Sequence, residues 1–324
     1  MSVFGDSTMG GKMGWGTPLK LAVSLLAGYL VYRQVGDPSL LVAALLQVDP
    51  LVVIGAVLLY LSGQLMTAWR WRVISERVGF HAGLVSVTRF YFIGMFFNLF
   101  GPSTLGGDVV RALYLGRTDG RRAVALNTVL FDRLSGLAML VVVAVVAIGV
   151  WGRFSLPPWL VWLTWALGLA MLVGWWLIPM IARRLLGDTN RIRRLLEDDL
   201  APFWFDRGLL LKAAWVSLAF HSLQVLTLYM LGTGLGLNLP LAYYFVFHPL
   251  VTILSALPVS LAGLGIREGG YVWFIVHAGV SPELGIALGL LWLIVLLASS
   301  AVGGLVFLAD DSGMPALRGS EHEA

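Results

Sequence analysis

Six charged residues lie in or beside strongly apolar stretches of this chain: Asp108, Arg111, Asp132, Arg133, Arg267 and Glu268. Asp132 and Arg133 are the deepest, about nine residues or ~14 Å at helical rise into the apolar run 124–151. A charge near a bilayer centre costs about 2.5–3.5 kcal/mol on insertion scales, so such residues face the protein interior, pair, and point to function. Three are basic and three acidic, so the six sum to zero. Two chemistries fit. In the first, the charges are staples: Asp132 pairs with Arg111 or Arg267, and Arg133 with Asp108 or Glu268. In the second, one or two arginines stay partly free for a phosphate, which the planar guanidinium binds bidentately at any pH.

The elements that must position these side chains are two hydrophobic segments that break in the same way. Residues 84–100 run into Gly101, Pro102, Ser103, Thr104, Leu105, Gly106, Gly107 and Asp108, with Arg111 just beyond. Residues 241–257 run into Pro258, Val259, Ser260, Leu261, Ala262, Gly263, Leu264, Gly265, Ile266, Arg267 and Glu268. Paired Gly/Pro interruptions in the two halves of a membrane protein mark a substrate site at a repeat interface. Irregular backbone at membrane depth survives only inside protein or along a cavity. A short helix is expected to start near Gly107 and another near Gly265, and helix N-termini are ready anion sites. Glycine at 106, 107 and 265 lets a headgroup approach the backbone. Asn98, Ser103, Thr104, Ser260 and Asn127 can hydrogen-bond a polar headgroup. The plainer role for each is a helix cap or a partner for broken backbone. Arg89 is placed to snorkel to the interface.

The composition is that of an all-α polytopic membrane protein. Hydrophobic residues make up 58% of 324 and charged residues 12%, about half the usual charged share. Mean hydropathy is +0.85. Long unbroken apolar runs exclude a β-barrel, whose strands alternate. Full spans are predicted at 18–36, 50–70, 124–151, 157–181, 209–232 and 284–308, each able to cross a hydrocarbon core of about 30 Å. Residues 1–17 carry no cleavage pattern, so the first span reads as a retained anchor.

Loop charge orients these spans. Arg70, Arg72 and Arg77 follow the second span; Arg111, Arg117, Arg121 and Arg122 follow the first break; Arg183, Arg184, Arg191, Arg193 and Arg194 follow the fourth span. By the positive-inside rule all three clusters are cytoplasmic, as are both termini. The connections 37–49, 152–156 and 233–240 carry one arginine between them, Arg153, and read as external. Segment 84–118 therefore dips into the membrane from inside and 241–278 from outside. The expectation is two inverted-topology halves, 18–152 and 153–309, each with three full spans and one re-entrant broken helix. The alternative is that both segments cross fully. The connector 182–208, with Phe203, Trp204 and Phe205, reads either as an amphipathic helix on the inner leaflet or as a solvated linker. Residues 310–324 read as a disordered cytoplasmic tail.

Other chemistry finds little support. Cysteine is absent, and the five histidines show no metal-ligand spacing. No phosphate-cradling Gly-Lys-Ser/Thr loop occurs, and no serine has a triad-like partner pattern. No catalytic residue, metal or cofactor is expected. The net charge of +4 speaks to orientation and anionic lipid rather than nucleic acid.

The run from Asn98 to Arg111, then Asp132, Arg133, Leu134, Ser135 and Gly136, then the run from Pro258 to Glu268, resembles the lysylphosphatidylglycerol synthase transmembrane region. That is the membrane half of the multiple peptide resistance factor, and it also occurs alone in bacterial and archaeal flippase-like proteins, some linked to polyprenyl-phosphate sugar pathways. The resemblance covers about 15 to 310 and implies a prokaryotic cytoplasmic membrane. It further implies lipid translocation, with these three motifs around the path. The chain stops soon after its last span, so no soluble synthase domain is expected. The expected activity is a flippase-like movement of a phosphate-bearing lipid, such as an aminoacyl phospholipid or a polyprenyl-phosphate-linked lipid, between leaflets. The rival is a membrane-embedded lipid-linked glycosyltransferase or an accessory subunit of an envelope-biosynthesis complex. Candidate protein partners are a second copy or a member of such a complex.

Overall fold

Prolines and short polar caps start the helices. Asp37 accepts a hydrogen bond from the Ser39 N–H and precedes Pro38, Asp49 accepts from Leu51 and precedes Pro50, and Asp206 accepts from Leu209. Each satisfies an N–H that a helix start leaves orphaned, and Pro fits the first turn because its missing donor is not needed there. The computed structural model describes residues 36–100, 106–117, 120–151, 156–185, 200–204, 206–256 and 263–310, with scattered positions between 25 and 33. The regular elements among them are all helices: α1 (Pro38–Leu46), α2 (Pro50–Arg77), α3 (Leu84–Phe100), α4 (Gly106–Gly116), α5 (Arg122–Trp151), α6 (Pro158–Leu185), α7 (Ala201–Trp204), α8 (Arg207–Gly234), α9 (Leu241–Ala256), α10 (Ile266–His277) and α11 (Pro282–Leu308). Among the described residues five helices are long and apolar enough to cross a membrane: α2, α5, α6, α8 and α11. The predicted first span, both tails, Ser103, Thr104 and Ser260 lie wholly or largely outside the described residues.

Both interrupted segments form antiparallel helical hairpins. In the first, Asn98 bonds Gly107, Gly94 abuts Gly107, and Phe90 stacks on Tyr114 with ring centroids 5.2 Å apart. A Cβ at Gly107 would sit 1.7 Å from the Gly94 carbonyl oxygen, so only glycine allows α4 this close to α3. In the second, the Tyr243 hydroxyl donates to the Phe274 carbonyl at 2.8 Å and His248 bonds Tyr271. The mouth of the first hairpin lies beside Arg77 and Asp206, which are bridged at 2.8 Å, and Arg121 donates to the Val78 carbonyl there. The mouth of the second follows Leu235, whose carbonyl accepts from Gln47, and leads into α11, where Glu283 accepts from the Gly36 N–H.

The helices pack in matched pairs. Helix α2 lies antiparallel along α8, with Gly63 against Phe220 and Gly234 against Val52. Helix α3 packs on α11 as α9 packs on α5; α4 on α5 as α10 on α11; α1 on α11 as α6 on α5. The α3–α11 contact is tight enough that a Cβ at Gly303 would lie 2.0 Å from the Phe92 carbonyl oxygen. The main apolar core joins α2, α5 and α8 to the second hairpin and α11.

One local expectation is corrected. Helix α2 does not end at residue 70 but continues for seven more residues to Arg77, so Arg70 belongs to a buried helix and not to a cytoplasmic loop. The described part of the connector, Leu200 to Trp204, packs against the neighbouring helices. Leu200 and Phe203 are buried, Phe203 stacks on Phe131, and Trp204 stacks on Trp175 at 4.1 Å between centroids. Aromatic area of this size is stabilised by burial against a core.

Candidate functional site

Asp132 sits ten residues into α5, about 15 Å along the helix axis, and two guanidiniums grip it. Arg111 from α4 donates through both Nη atoms to Oδ2 at 3.1 Å each. Arg70 from α2 donates through Nε to Oδ1 at 2.8 Å and through Nη2 to the Asp132 carbonyl at 3.2 Å. Arg70 also reaches across to the Ser217 hydroxyl on α8. The Arg111 guanidinium lies 4.9 Å from the Trp71 ring centroid and 5.1 Å from that of Tyr91, so its faces are held by aromatic quadrupoles as well. All three charged side chains are buried.

Asp108, at the start of α4, takes the third arginine. Arg133 donates through Nε to Oδ2 at 2.9 Å and through Nη2 to Oδ1 at 3.0 Å. Asn98 stands 3.5 Å from Asp108 and accepts the Gly107 N–H at 3.0 Å. Gly106 opens α4 next to these groups and is half-buried. The Arg133 side chain is 52% accessible. Its Nη1 has no protein partner among the described residues.

The second hairpin carries a self-contained pair. Arg267 donates to Glu268 at 2.9 and 3.1 Å, and the other Glu268 oxygen accepts the Gly265 N–H at 2.6 Å. The expected pairings Asp132–Arg111 and Arg133–Asp108 are therefore present, while Arg267 and Glu268 turn to each other. The Gly107 and Gly265 N–H groups meet Asn98 and Glu268, so these donors face protein acceptors rather than an open site. Asn127 is buried near the start of α5, and Arg89 lies at the first mouth, 3.4 Å from Asp310.

Sequence reasoning missed Arg70, Ser217 and His221, whose Nε2 lies 3.0 Å from the Gly136 carbonyl. A signal for Arg70 existed. Gly63, Gln64, Thr67 and Arg70 recur at helical spacing and are all buried on one face of α2, where a purely lipid-facing stripe would be apolar. Including Arg70 changes the balance: four arginines now face three carboxylates. Among the described residues no cluster of three or more His, Asp or Glu side chains could hold a metal ion.

The profile of the family described as the lysylphosphatidylglycerol synthase TM region matches residues 18–304. The chain belongs to that family. It is a multi-pass membrane protein. A UPF0104 membrane protein of Methanothermobacter thermautotrophicus is 25% identical over 272 residues, covering 75% of this chain and 80% of that one. No solved structure matches the chain significantly.

Proposed function

We propose that this family member is a lipid translocase that moves a phosphate-bearing lipid between leaflets of the cytoplasmic membrane. The observation that carries the reading is the contrast among the arginines. Arg70 and Arg111 are buried and held by Asp132, whereas Arg133, paired with Asp108, leaves its side chain 52% accessible and its Nη1 without a partner among the described residues. A guanidinium in that state is a phosphate receptor. Asp108 holds it in place, and the lipid tails stay in the bilayer while the headgroup visits Arg133. The protein supplies a path rather than a reaction. An aminoacyl phospholipid and a polyprenyl-phosphate-linked lipid are the two cargo chemistries that fit a phosphate receptor in this family.

The path is read as lying between two inverted repeats with re-entrant hairpins and cytoplasmic termini. Support comes from the matched helix pairs, the antiparallel α2 and α8, and hairpin mouths beside opposite ends of α8. In this cysteine-free chain, His81→Cys and Ala123→Cys should label from one side of the membrane, and Asn238→Cys and Ser281→Cys from the other. Labelling of His81→Cys and Ala123→Cys from opposite sides would end the re-entrant reading. Function is tested by leaflet exchange of labelled phospholipids in vesicles containing the full chain. Arg133→Lys keeps the charge and loses the fork, so exchange should fall while thermal stability changes little. Full exchange by a stable Arg133→Gln protein would remove Arg133 from the path.

A further inference from the structure

We infer that the lipid phosphate displaces Asp108 from Arg133 and that Arg111 receives the displaced carboxylate. The inference rests on the translocase reading and makes Asp108 a positioning residue that trades places with the cargo. Asp108 is bidentate on Arg133, with Nε to Oδ2 at 2.9 Å and Nη2 to Oδ1 at 3.0 Å. Arg111 lies three residues further along α4, and its Nε stands 3.3 Å from the same Oδ1. That Nε is buried and makes no hydrogen bond among the described residues, although both Nη atoms of Arg111 bond Asp132. A buried donor on a charged group is costly to leave unpaired. The separation is already close to hydrogen-bond range, so what is missing is alignment. A turn of the Asp108 side chain supplies it without moving a helix. The carboxylate stays in the first turn of α4, where the helix dipole favours it.

The phosphate supplies the reason to turn. A guanidinium offers five N–H groups, and Asp108 takes one from Nε and one from Nη2 of Arg133. A phosphate joins at the Nη1 edge. Two anions then share one cation, and because Asp108 is buried, water screens little of their repulsion. Asp108 has a second donor 3.3 Å away, so it is the anion that gives way. The exchange turns a tie between α4 and α5 into a tie within α4, leaving hairpin one held to α5 by Arg111 and Asp132. Hairpin two already keeps its pair within one helix, Arg267 with Glu268. Cargo binding brings the first hairpin to the arrangement the second has.

Binding is read as thermal stabilisation of the full chain in detergent by two probes, a short-chain prenyl phosphate and a short-chain aminoacyl phosphatidylglycerol. Exchange of labelled versions is read in vesicles. Asp108→Asn removes the competitor, so the probe should bind at least about tenfold more tightly, the worth of one hydrogen bond to a charged group. Maximal exchange should fall, because nothing retakes Arg133 to expel the cargo. A fixed clamp predicts the opposite, weaker binding as Arg133 loses its support, and that result overturns the inference. Arg111→Lys keeps the charge, but its single nitrogen stays with Asp132 and the receiving Nε is gone. It should weaken binding in the otherwise native chain and change nothing in the Asp108→Asn background; equal losses in both backgrounds overturn the inference. Where Arg111→Lys does not fold, the structure of the native chain with prenyl phosphate decides. Asp108 bonded to Arg111 Nε supports displacement, and Asp108 still bidentate on Arg133 overturns it. If neither probe binds, or both bind Arg133→Gln equally well, the phosphate reading of Arg133 ends and the inference with it. The expected binding pattern without exchange keeps the displacement and removes translocation.

Discussion

The two hairpins share one packing scheme and differ in what they do with charge. Hairpin one donates Asp108 and Arg111 outward, to Arg133 and Asp132 on α5, and through Asp132 to Arg70 on α2. Hairpin two keeps its charges to itself: Arg267 pairs with its neighbour Glu268, which also caps Gly265. Neighbouring residues in a helix do not ordinarily face each other. They do here because Glu268 folds back over the helix start to reach the Gly265 N–H, bringing its second oxygen to Arg267. The difference teaches that two hairpins packed in the same scheme can hold their charges in opposite ways, one across helices and one within a single turn. Ion pairs that cross helices must part if helices move; a pair within one turn travels with it.

The sharpest test of that contrast is to remove the carboxylate from each half. Asp132→Ala leaves Arg70 in the interior with no carboxylate and Arg111 with only Asp108, 3.3 Å from its Nε. Removing one partner of a buried pair costs about 3–5 kcal/mol, so a loss at or above the top of that range is expected. Glu268→Gln strands only Arg267 and leaves an amide oxygen to accept from Gly265. Its expected cost is about 1.5–3 kcal/mol, the range for a hydrogen bond to a charged group. Unfolding of both variants in the same detergent decides. Equal losses would mean the halves are energetically alike and the contrast is only geometric.

A second comparison concerns how tightly each hairpin closes. A methyl at Gly107 would meet the Gly94 backbone oxygen at 1.7 Å, whereas one at Gly270 would meet a Val251 methyl at 2.9 Å. Backbone cannot step aside; a valine side chain can adjust. Overpacking costs about 1–3 kcal/mol, and alanine regains up to about 1 kcal/mol of helix propensity. Gly107→Ala should therefore lose at least about 2 kcal/mol, and Gly270→Ala should be near neutral. A stable Gly107→Ala protein would show that the first hairpin can open without penalty.

The hairpins themselves were legible in the sequence, because Gly and Pro interrupt apolar runs in only a few places, each with a physical reason. The Asp132–Arg111 and Arg133–Asp108 pairs were legible from cost: charges so deep need partners, and few partners are at hand. Arg70 was not. Hydropathy falls where α2 becomes polar, yet its hydrogen-bonded helix continues to Arg77, so a loop was inferred where a helix face turns inward. The Arg267–Glu268 pair was also hidden, since side-chain direction at a helix start depends on the capping bond and not on spacing. The aromatic run of the connector gave its hydrophobicity but not its partner, because Trp175 and Phe131 lie 29 and 72 residues from the residues they stack on.

The smallest expected effect lies at the mouths. The first is tied by an ion pair, Arg77 with Asp206, and the second by Glu283 accepting from backbone N–H groups. The Asp206 carboxyl is held below its ordinary value of 3.8, first by the hydrogen bond from the Leu209 N–H and then by Arg77. A depressed folded value means the stabilisation is complete above the unfolded value and is lost as pH falls through the folded one. Asp206→Asn keeps a good cap and removes the charge. The wild type should melt slightly above this variant at neutral pH, and the gap should close once the pH drops clearly below 3.8. Added salt should narrow the same gap at neutral pH, because an exposed pair is screened. A Glu283→Gln variant should show no such salt dependence, since the partners of Glu283 are neutral dipoles. A gap that persists in high salt would mean that Asp206 acts through the cap alone and that the two mouths are held by the same kind of bond.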